Sequence, residues 1–451
     1  MKLGKSLTRT GSGIVAALDI GCSKVCCFIA RAEPDKAPRI VGIGQQASRG
    51  LRNGIVVNMA ALEASIRNAV HAAEQMAGET IERVVVNLSG GRPASRLIGV
   101  EVEINGHEIG DADLRRAFDY ADQARTAAGH GSNGSGQNGH GSNEHGKNGY
   151  AGGGHDEAGR QVIHAIPVGY RIDGARGVRD PRGLCGDHLG VHIHFVTAAT
   201  SAVRNLTTAV QRCHLDVDGF VVSPYASGLA ALVDDELELG VTVVDMGGGT
   251  TTIAVFGEGA VLFTDVVPVG GDHVTRDIAR GLSTPVAHAE RIKTLYGHAM
   301  ATGSDEREMI DVPQVGEDEA RGLRQVPRSL LIGIIQPRLE ETLELVRSHL
   351  EAAGYAKLAG RRVVLTGGAC QIPGTMELAG LILDKQVRIG RPLHVTGLAE
   401  ATAGPAYATC AGLLLHAITE DRIAPQHAAP IHIADPNGLI GRFGHWLREH
   451  F

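Results

Sequence analysis

"VVDMGGGTTTIAVF", residues 243–256, is an apolar run, an aspartate, three glycines, three threonines and a second apolar run. An earlier stretch has the same plan: "AALDIGCSKVCCFI", residues 16–29. Each reads as a buried strand ending in Asp, a glycine-containing turn with hydroxyls, and a return strand. One such loop alone reads equally well as an ordinary β-hairpin. Two matched copies predict a duplicated α/β core with a cleft between its halves. Glycines let backbone N–H groups approach phosphate oxygens closely, and Ser23, Thr250 and Thr251 add hydroxyl donors. Lys24 adds a point positive charge. Asp19 and Asp245, at strand ends, are placed to hold Mg2+ through its waters, which that ion gives up reluctantly.

A third stretch extends the pattern. "VVLTGGACQIPGTMELA" (363–379) is a buried strand, a Gly-Gly turn and a helix start, with Gly367 and Gly368 leaving room for a flat base and its ribose. "HAERIKTLYG" (288–297) puts Glu290 and Lys293 three apart on one helix face. That pair reads as part of the site or as a surface ion pair.

Strands and helices alternate along most of the chain, which predicts α/β architecture. Helices are predicted over 60–78, closed by Gly78, and over 200–213 and 335–354. With 451 residues, more than one domain is expected. The net charge of -7 argues against a general nucleic-acid binder, which would carry a basic surplus. Seven cysteines fit no paired framework, and no apolar run follows the basic first residues as a signal peptide requires, so the reading is cytoplasmic with reduced thiols. Cys22, Cys26 and Cys27 could suggest metal. The adjacent pair lies on a strand, where neighbours face opposite sides, and small buried hydrophobes are the simpler reading.

Four segments fall outside the repeating pattern. Residues 129–160 are rich in Gly, Asn, Ser and His, too polar to offset ordering entropy, and predict a flexible excursion. Its histidines, His130, His140, His145 and His155, lack the spacing of a defined metal site. Residues 302–322 are acidic and turn-rich, expected as a solvated surface or a partner-binding one. Residues 424–437 hold three prolines and few charges, as in a linker. The last stretch, "GLIGRFGHWLREHF" (438–451), carries the only tryptophan. On a helical wheel Leu439, Ile440, Phe443, Trp446, Leu447 and Phe451 share an arc of roughly 140°. Arg442, His445, Arg448 and Glu449 fall opposite, while His450 sits on the apolar side and raises the possibility that attachment depends on pH. Such a helix, weakened by Gly441 and Gly444, predicts binding to an anionic membrane surface, with docking on its own domain as the alternative.

The ordered motifs resemble the actin, seventy-kilodalton chaperone and sugar-kinase superfamily, and within it the FtsA family of bacterial division proteins. The matching segments include "SRGLRNGIVVN", "NLSGGR", "HAIPVGYRID", "DPRGLCG", "VVPVGGDHVTRDIARGLSTP" and "QVRIGRP", and span about residues 14–415. The resemblance implies a two-lobed actin-like ATPase fold of duplicated ribonuclease-H-like cores, with a subdomain called 1C in place of the usual 1B. It implies a flexible 1–13, then subdomain 1A from 14–85, 192–222 and 395–423, with 1C at 86–191. Subdomain 2A takes 223–272 and 327–394, and 2B takes 273–326.

Carried over by motif, Asp19, Gly21, Ser23 and Lys24 form the first phosphate loop, and Asp245, Gly247, Gly248, Gly249, Thr250 and Thr251 the second. Gly271 would lie near the terminal phosphate, and Glu290, Lys293, Gly367, Gly368 and Ile372 would border the adenosine of ATP. The family resemblance further implies filament formation and anchoring of the tubulin-like protein FtsZ, through its C-terminal peptide on 2B, at the cytoplasmic face of the inner membrane. It also implies later division proteins on 1C. One departure stands out. Hydrolytic relatives carry Glu or Gln in the segment joining the lobes, and here "VVSPYASGLAAL" offers Ser223, which cannot act as such a base near neutral pH. Tight binding with weak or no hydrolysis is therefore expected. A sugar-type kinase is the competing reading, but no convincing acid/base Asp and no sugar pocket can be named. A chaperone-like ATPase would need a substrate domain after the core, for which too few residues remain.

Overall fold

The computed structural model of the protein describes residues 13–33, 36–129, 159–316, 323–356 and 359–423. Two five-stranded sheets share one topology. In the first the order is Asp216–Val222, Arg83–Leu88, Ile14–Ile20, Lys24–Arg31, Arg39–Ala47; in the second it is Gln386–Ile389, Arg362–Thr366, Val241–Met246, Thr251–Gly257, Ala260–Val267. In both, three strands form an antiparallel meander and two more join in parallel beside the first strand. The expected duplication is therefore present strand for strand. Parallel strands need crossovers, and helices supply them, so both faces of each sheet are covered and the central strands Ile14–Ile20 and Val241–Met246 are mostly apolar, with Asp19 and Asp245 near their ends.

The helix Met59–Ala77 crosses the first sheet. The Asn58 side chain accepts the Ala61 N–H at its start, and Gly78, at φ 70°, closes it as predicted. Helix Thr200–Gln211 packs beside it. The helix expected at 335–354 begins earlier, at Arg328, and ends at Ala352. The expected start put Pro337 in the first turn, where proline is tolerated. Instead Pro337 sits inside the helix, because Leu331, Ile332 and Ile335 bury their side chains in the second lobe's core. Apolar burial outweighs the local penalty of one lost hydrogen bond.

The acidic stretch 302–322 is not only turn. Met309–Pro313 pairs antiparallel with Leu323–Pro327, burying Ile310, Val312 and Val326 under the second lobe while Met309 and Asp311 face out. Strand alternation was present in "MIDVP" but masked by the surrounding charges.

A four-stranded sheet is inserted in the first lobe, in the order Ala94–Glu103, His188–Ala199, Arg160–Ile172, Ala175–Val178. The helix Asp111–Gly129 covers one face, packing its own Leu114 into a cluster with Val102, Leu189, Ile193 and Phe195 of the sheet. This module starts after Arg83–Leu88, a strand of the first sheet, and ends at Ala199, so the expected limit of 86 falls within that flanking strand and the expected limit of 191 within the module's own strand His188–Ala199. Apart from Gly129, Gly159 and Arg160, the excursion at 129–160 lies outside the described residues, as do the linker and the terminal segment 438–451.

Cys26 and Cys27 are both fully buried, in different apolar clusters on opposite sides of their strand. Helices Ser223–Ala231 and Ala408–Ile423 pack together between the two sheets. Their approach is so close that a Cβ at Gly412 would lie 1.7 Å from the Ala226 carbonyl oxygen. Among the described residues no helix is long and apolar enough to cross a membrane.

Candidate functional site

The parallel strands of both sheets end at one cleft of about 390 Å³, the usual place for a ligand in open α/β sheets. Each sheet's first hairpin contributes its turn. The turns close identically: the Gly21 N–H donates to the Lys24 carbonyl at 3.0 Å, and the Gly247 N–H to the Thr250 carbonyl at 2.9 Å. Across the cleft the turns nearly touch. A Cβ at Gly248 would fall 2.0 Å from Ser23 Oγ, and one at Gly249 would fall 2.5 Å from Cys22 Sγ. The second turn also feeds a helix start, since its Gly247 and Gly248 carbonyls accept the N–H groups of Gly271 and Asp272.

Asp19, Gly21, Ser23, Lys24, Asp245, Gly247, Gly248, Gly249, Thr250, Gly271, Glu290, Lys293, Gly367, Gly368 and Ile372 all line the cleft. Thr251 does not. It is fully buried, and its Oγ1 donates to the Val269 carbonyl at 2.8 Å. Strand pairing starts at Thr251, so alternation turns Thr250 and Thr252 to the cleft and Thr251 away.

The electrostatics are unusual for surface loops. Asp19 and Asp245 are both buried. Asp245 Oδ2 accepts from Ser227 Oγ at 2.7 Å and Thr409 Oγ1 at 2.9 Å. Burial pushes the Asp19 carboxyl up to about 7 against the pull of Lys24, and the charge of Asp245 adds a smaller push. Burial also raises Asp245, against its two hydroxyl partners and Lys24, and it raises Asp272, against Lys293 and Arg276. Lys24 Nζ lies 3.3 Å over the Tyr407 ring centre. It is buried and has no hydrogen-bond acceptor among the described residues. A buried ammonium lacking an acceptor, beside carboxylates that burial holds toward neutrality, is a set that an anion with a divalent cation would satisfy.

Glu290 and Lys293 are more than a surface pair. Lys293 is buried, and its Nζ donates to Glu290 Oε2 at 2.6 Å and Thr275 Oγ1 at 2.9 Å, while half-exposed Glu290 faces the opening. Gly367, at φ 85°, has the Asp245 carboxylate 2.5 Å from where a Cβ would stand, so a side chain there would strike the site itself.

Ser223 opens the helix Ser223–Ala231 at the cleft floor. Its Oγ accepts from Asn87 Nδ2 at 3.2 Å, and Asn87 Oδ1 accepts the Ile20 N–H at 2.7 Å. Asn87, Ser89, Asp272, Thr294 and Thr409 also line the cleft and were not foreseen. The polar ending of "VVVNLS" after an apolar strand was a usable signal for Asn87, and "GGDH" for Asp272. Thr409 comes from the far end of the chain, and nothing local marks it.

The raised Asp19 carboxyl predicts a pH dependence. A folded-state value above the ordinary 3.8 contributes stability that is fully present below 3.8 and is lost as pH rises through about 7. Asp245 and Asp272 act in the same direction. The thermal midpoint of the ligand-free protein should therefore fall between about pH 4 and pH 7, and Asp19→Asn should flatten that fall. Differential scanning fluorimetry across the range reads it. Equal slopes in parent and variant would show that Asp19 is not the source.

Comparison with known proteins bears on the whole chain. A family model described as "Cell division protein FtsA" matches residues 242–412, and one described as "SHS2 domain inserted in FTSA" matches 154–197. The cell division protein FtsA of Agrobacterium fabrum (strain C58) is 43% identical over 461 residues, covering 99% of this chain and 97% of that protein. The FtsA of Escherichia coli (strain K12) is 33% identical over 454 residues, covering 99% and 100%. Among solved structures, a chain of the "PilM-PilN type IV pilus biogenesis complex" matches with a TM-score of 0.59 at 18% identity, covering 90% of this chain and 98% of that one, a likeness of fold.

Proposed function

Since the chain belongs to the FtsA family of cell division proteins, we propose that it binds ATP with Mg2+ in the interlobe cleft, polymerises, and tethers FtsZ filaments to the cytoplasmic face of the inner membrane at the division site. The actin-like fold with its inserted SHS2 module is the frame for that reading. The observation that carries the nucleotide part is the buried ammonium of Lys24, a residue lining the same cleft as the two facing glycine turns, with no acceptor among the described residues. Phosphate oxygens would supply that acceptor, with further N–H and hydroxyl donors from the turns. Asp19 and Asp245 would hold the Mg2+, whose charge would offset that of the phosphate chain. Glu290, Lys293, Gly367, Gly368 and Ile372 would border the nucleoside.

Hydrolysis is expected to be weak. Ser223 stands where a water-orienting carboxylate or carboxamide would be needed, and its Oγ is already engaged by Asn87. The FtsZ C-terminal peptide is assigned to the subdomain at about 273–326. Support comes from Tyr296, Met309, Leu323 and Leu330, exposed apolar side chains grouped around the hairpin. Later division proteins are assigned to the inserted module.

The test is assembly on anionic liposomes with Mg–ATP, with and without an FtsZ C-terminal peptide, scored by electron microscopy and pelleting. Filaments that need nucleotide and recruit the peptide are the expected result. Many ATP turnovers per minute without any partner would overturn the reading of Ser223. Failure to assemble under any nucleotide condition would overturn the tether.

A further inference from the structure

Each lobe's sheet ends in an edge strand facing the inserted module. In the first lobe that strand is Asp216–Val222, and in the second it is Ala260–Val267. An edge strand carries unpaired N–H groups that must be covered or satisfied. The module covers both with side chains rather than with a strand ladder. His164 Nε2 accepts the Val222 N–H at 3.0 Å. Ser95 Oγ accepts the Thr264 N–H at 3.1 Å and is itself held at 2.6 Å by His194 Nε2. Two residues along from His164, on the same face of the strand Arg160–Ile172, Ile166 packs against the second lobe's cluster around Val241, Ala254, Phe256 and Val261. One strand of the module thus holds both lobes.

We propose that the inserted module is a brace between the lobes: it fixes the edge of the first through His164 and the edge of the second through Ser95 and Ile166, so that lobe closure and module position change together. The first grip is also close to the cleft. Val222 precedes Ser223, whose hydroxyl is tied through Asn87 to the Ile20 N–H at the base of the first phosphate turn. Any ligand that draws the two turns together must move the two edge strands relative to each other, and the module spans them. This last step rests on the nucleotide reading of the cleft; the brace itself does not.

Contiguity alone is no proof of coupling, so the test measures coupling itself. Amide hydrogen exchange is followed by mass spectrometry in the full chain, in Ser95→Ala and in Ile166→Ala. Ser95 is hydrogen-bonded to His194 and Thr264, and Ile166 packs in the cluster around Phe256, so the contacts they lose are not those of His164 with the strand 216–222. Without nucleotide, both should speed exchange in that strand by about threefold or more, as well as at 260–267. If only 260–267 responds, the brace is overturned. Ser95→Ala removes a single oxygen and keeps the test open if Ile166→Ala does not fold. With Mg–ATP, the parent should gain protection at 160–168 as well as at the turns 19–24 and 245–250, and Ser95→Ala should lose the former while keeping the latter. Protection of the turns without any change at 160–168 would overturn the brace as a transmitter. No protection at either turn would count against the nucleotide reading, and the nucleotide-free comparison would still decide the brace.

Discussion

Lys24→Met is expected to lower nucleotide affinity about 100-fold while leaving the ligand-free protein at least as stable as its parent. The two effects have one cause. In the free protein the Lys24 ammonium is buried with no acceptor among the described residues, and only the Tyr407 ring face and the nearby Asp19 and Asp245 compensate it. A buried cation so placed has lost water without recovering its hydrogen bonds, and methionine of similar length removes that cost without opening a cavity. In the complex the same ammonium would meet phosphate oxygens, a charge-assisted contact of about 2–3 kcal/mol. A structural lysine behaves in the opposite way: its loss lowers stability and leaves affinity alone. Titration with a fluorescent ATP analogue, together with thermal midpoints, separates the two. An affinity within about twofold of the parent would remove Lys24 from the site.

What the sequence showed, and what it hid, follows from how local each feature is. The two glycine turns that face each other across the cleft were legible because an Asp at a strand end followed by glycines is a local pattern, and the sequence holds two copies of it. Thr251 was misread by one residue because the boundary between turn and strand decides which face a threonine takes, and composition does not mark that boundary. The helix expected at 335–354 starts earlier, at Arg328, because the burial of Leu331 and Ile332 depends on the assembled lobe and not on local propensity. Thr409 reaches Asp245 from well over a hundred residues away, and no short motif announces it. His164 and Ser95 were quoted or passed over as ordinary strand residues. Their role depends on which strands end each sheet, and that is known only once the sheets are assembled.

Trp446→Glu, or removal of residues 438–451, is expected to release the protein from anionic liposomes, with the loss far larger for assembled filaments than for monomers. The segment lies outside the described residues, and its expected behaviour follows from its sequence and from thermodynamics. If the segment forms a helix on the membrane, the wheel places Trp446 in one apolar arc with Leu439, Ile440, Phe443, Leu447 and Phe451. Burying a large apolar side chain contributes roughly 1.5–3 kcal/mol, so a charge in its place should weaken one helix by at least about tenfold. In a helix Gly441 and Gly444 would cost about 1 kcal/mol each in propensity, so a single tail would be marginal and its binding reversible. A filament presents many tails at once, and their contributions multiply without new contacts. Weak tails on a nucleotide-dependent filament make attachment a readout of assembly, whereas one strong anchor would hold monomer and polymer alike. Flotation of parent and Trp446→Glu should therefore differ most with Mg–ATP present. If Trp446→Glu floats as the parent does under assembling conditions, the tail is not the anchor. If the parent binds equally with and without nucleotide, attachment does not depend on assembly.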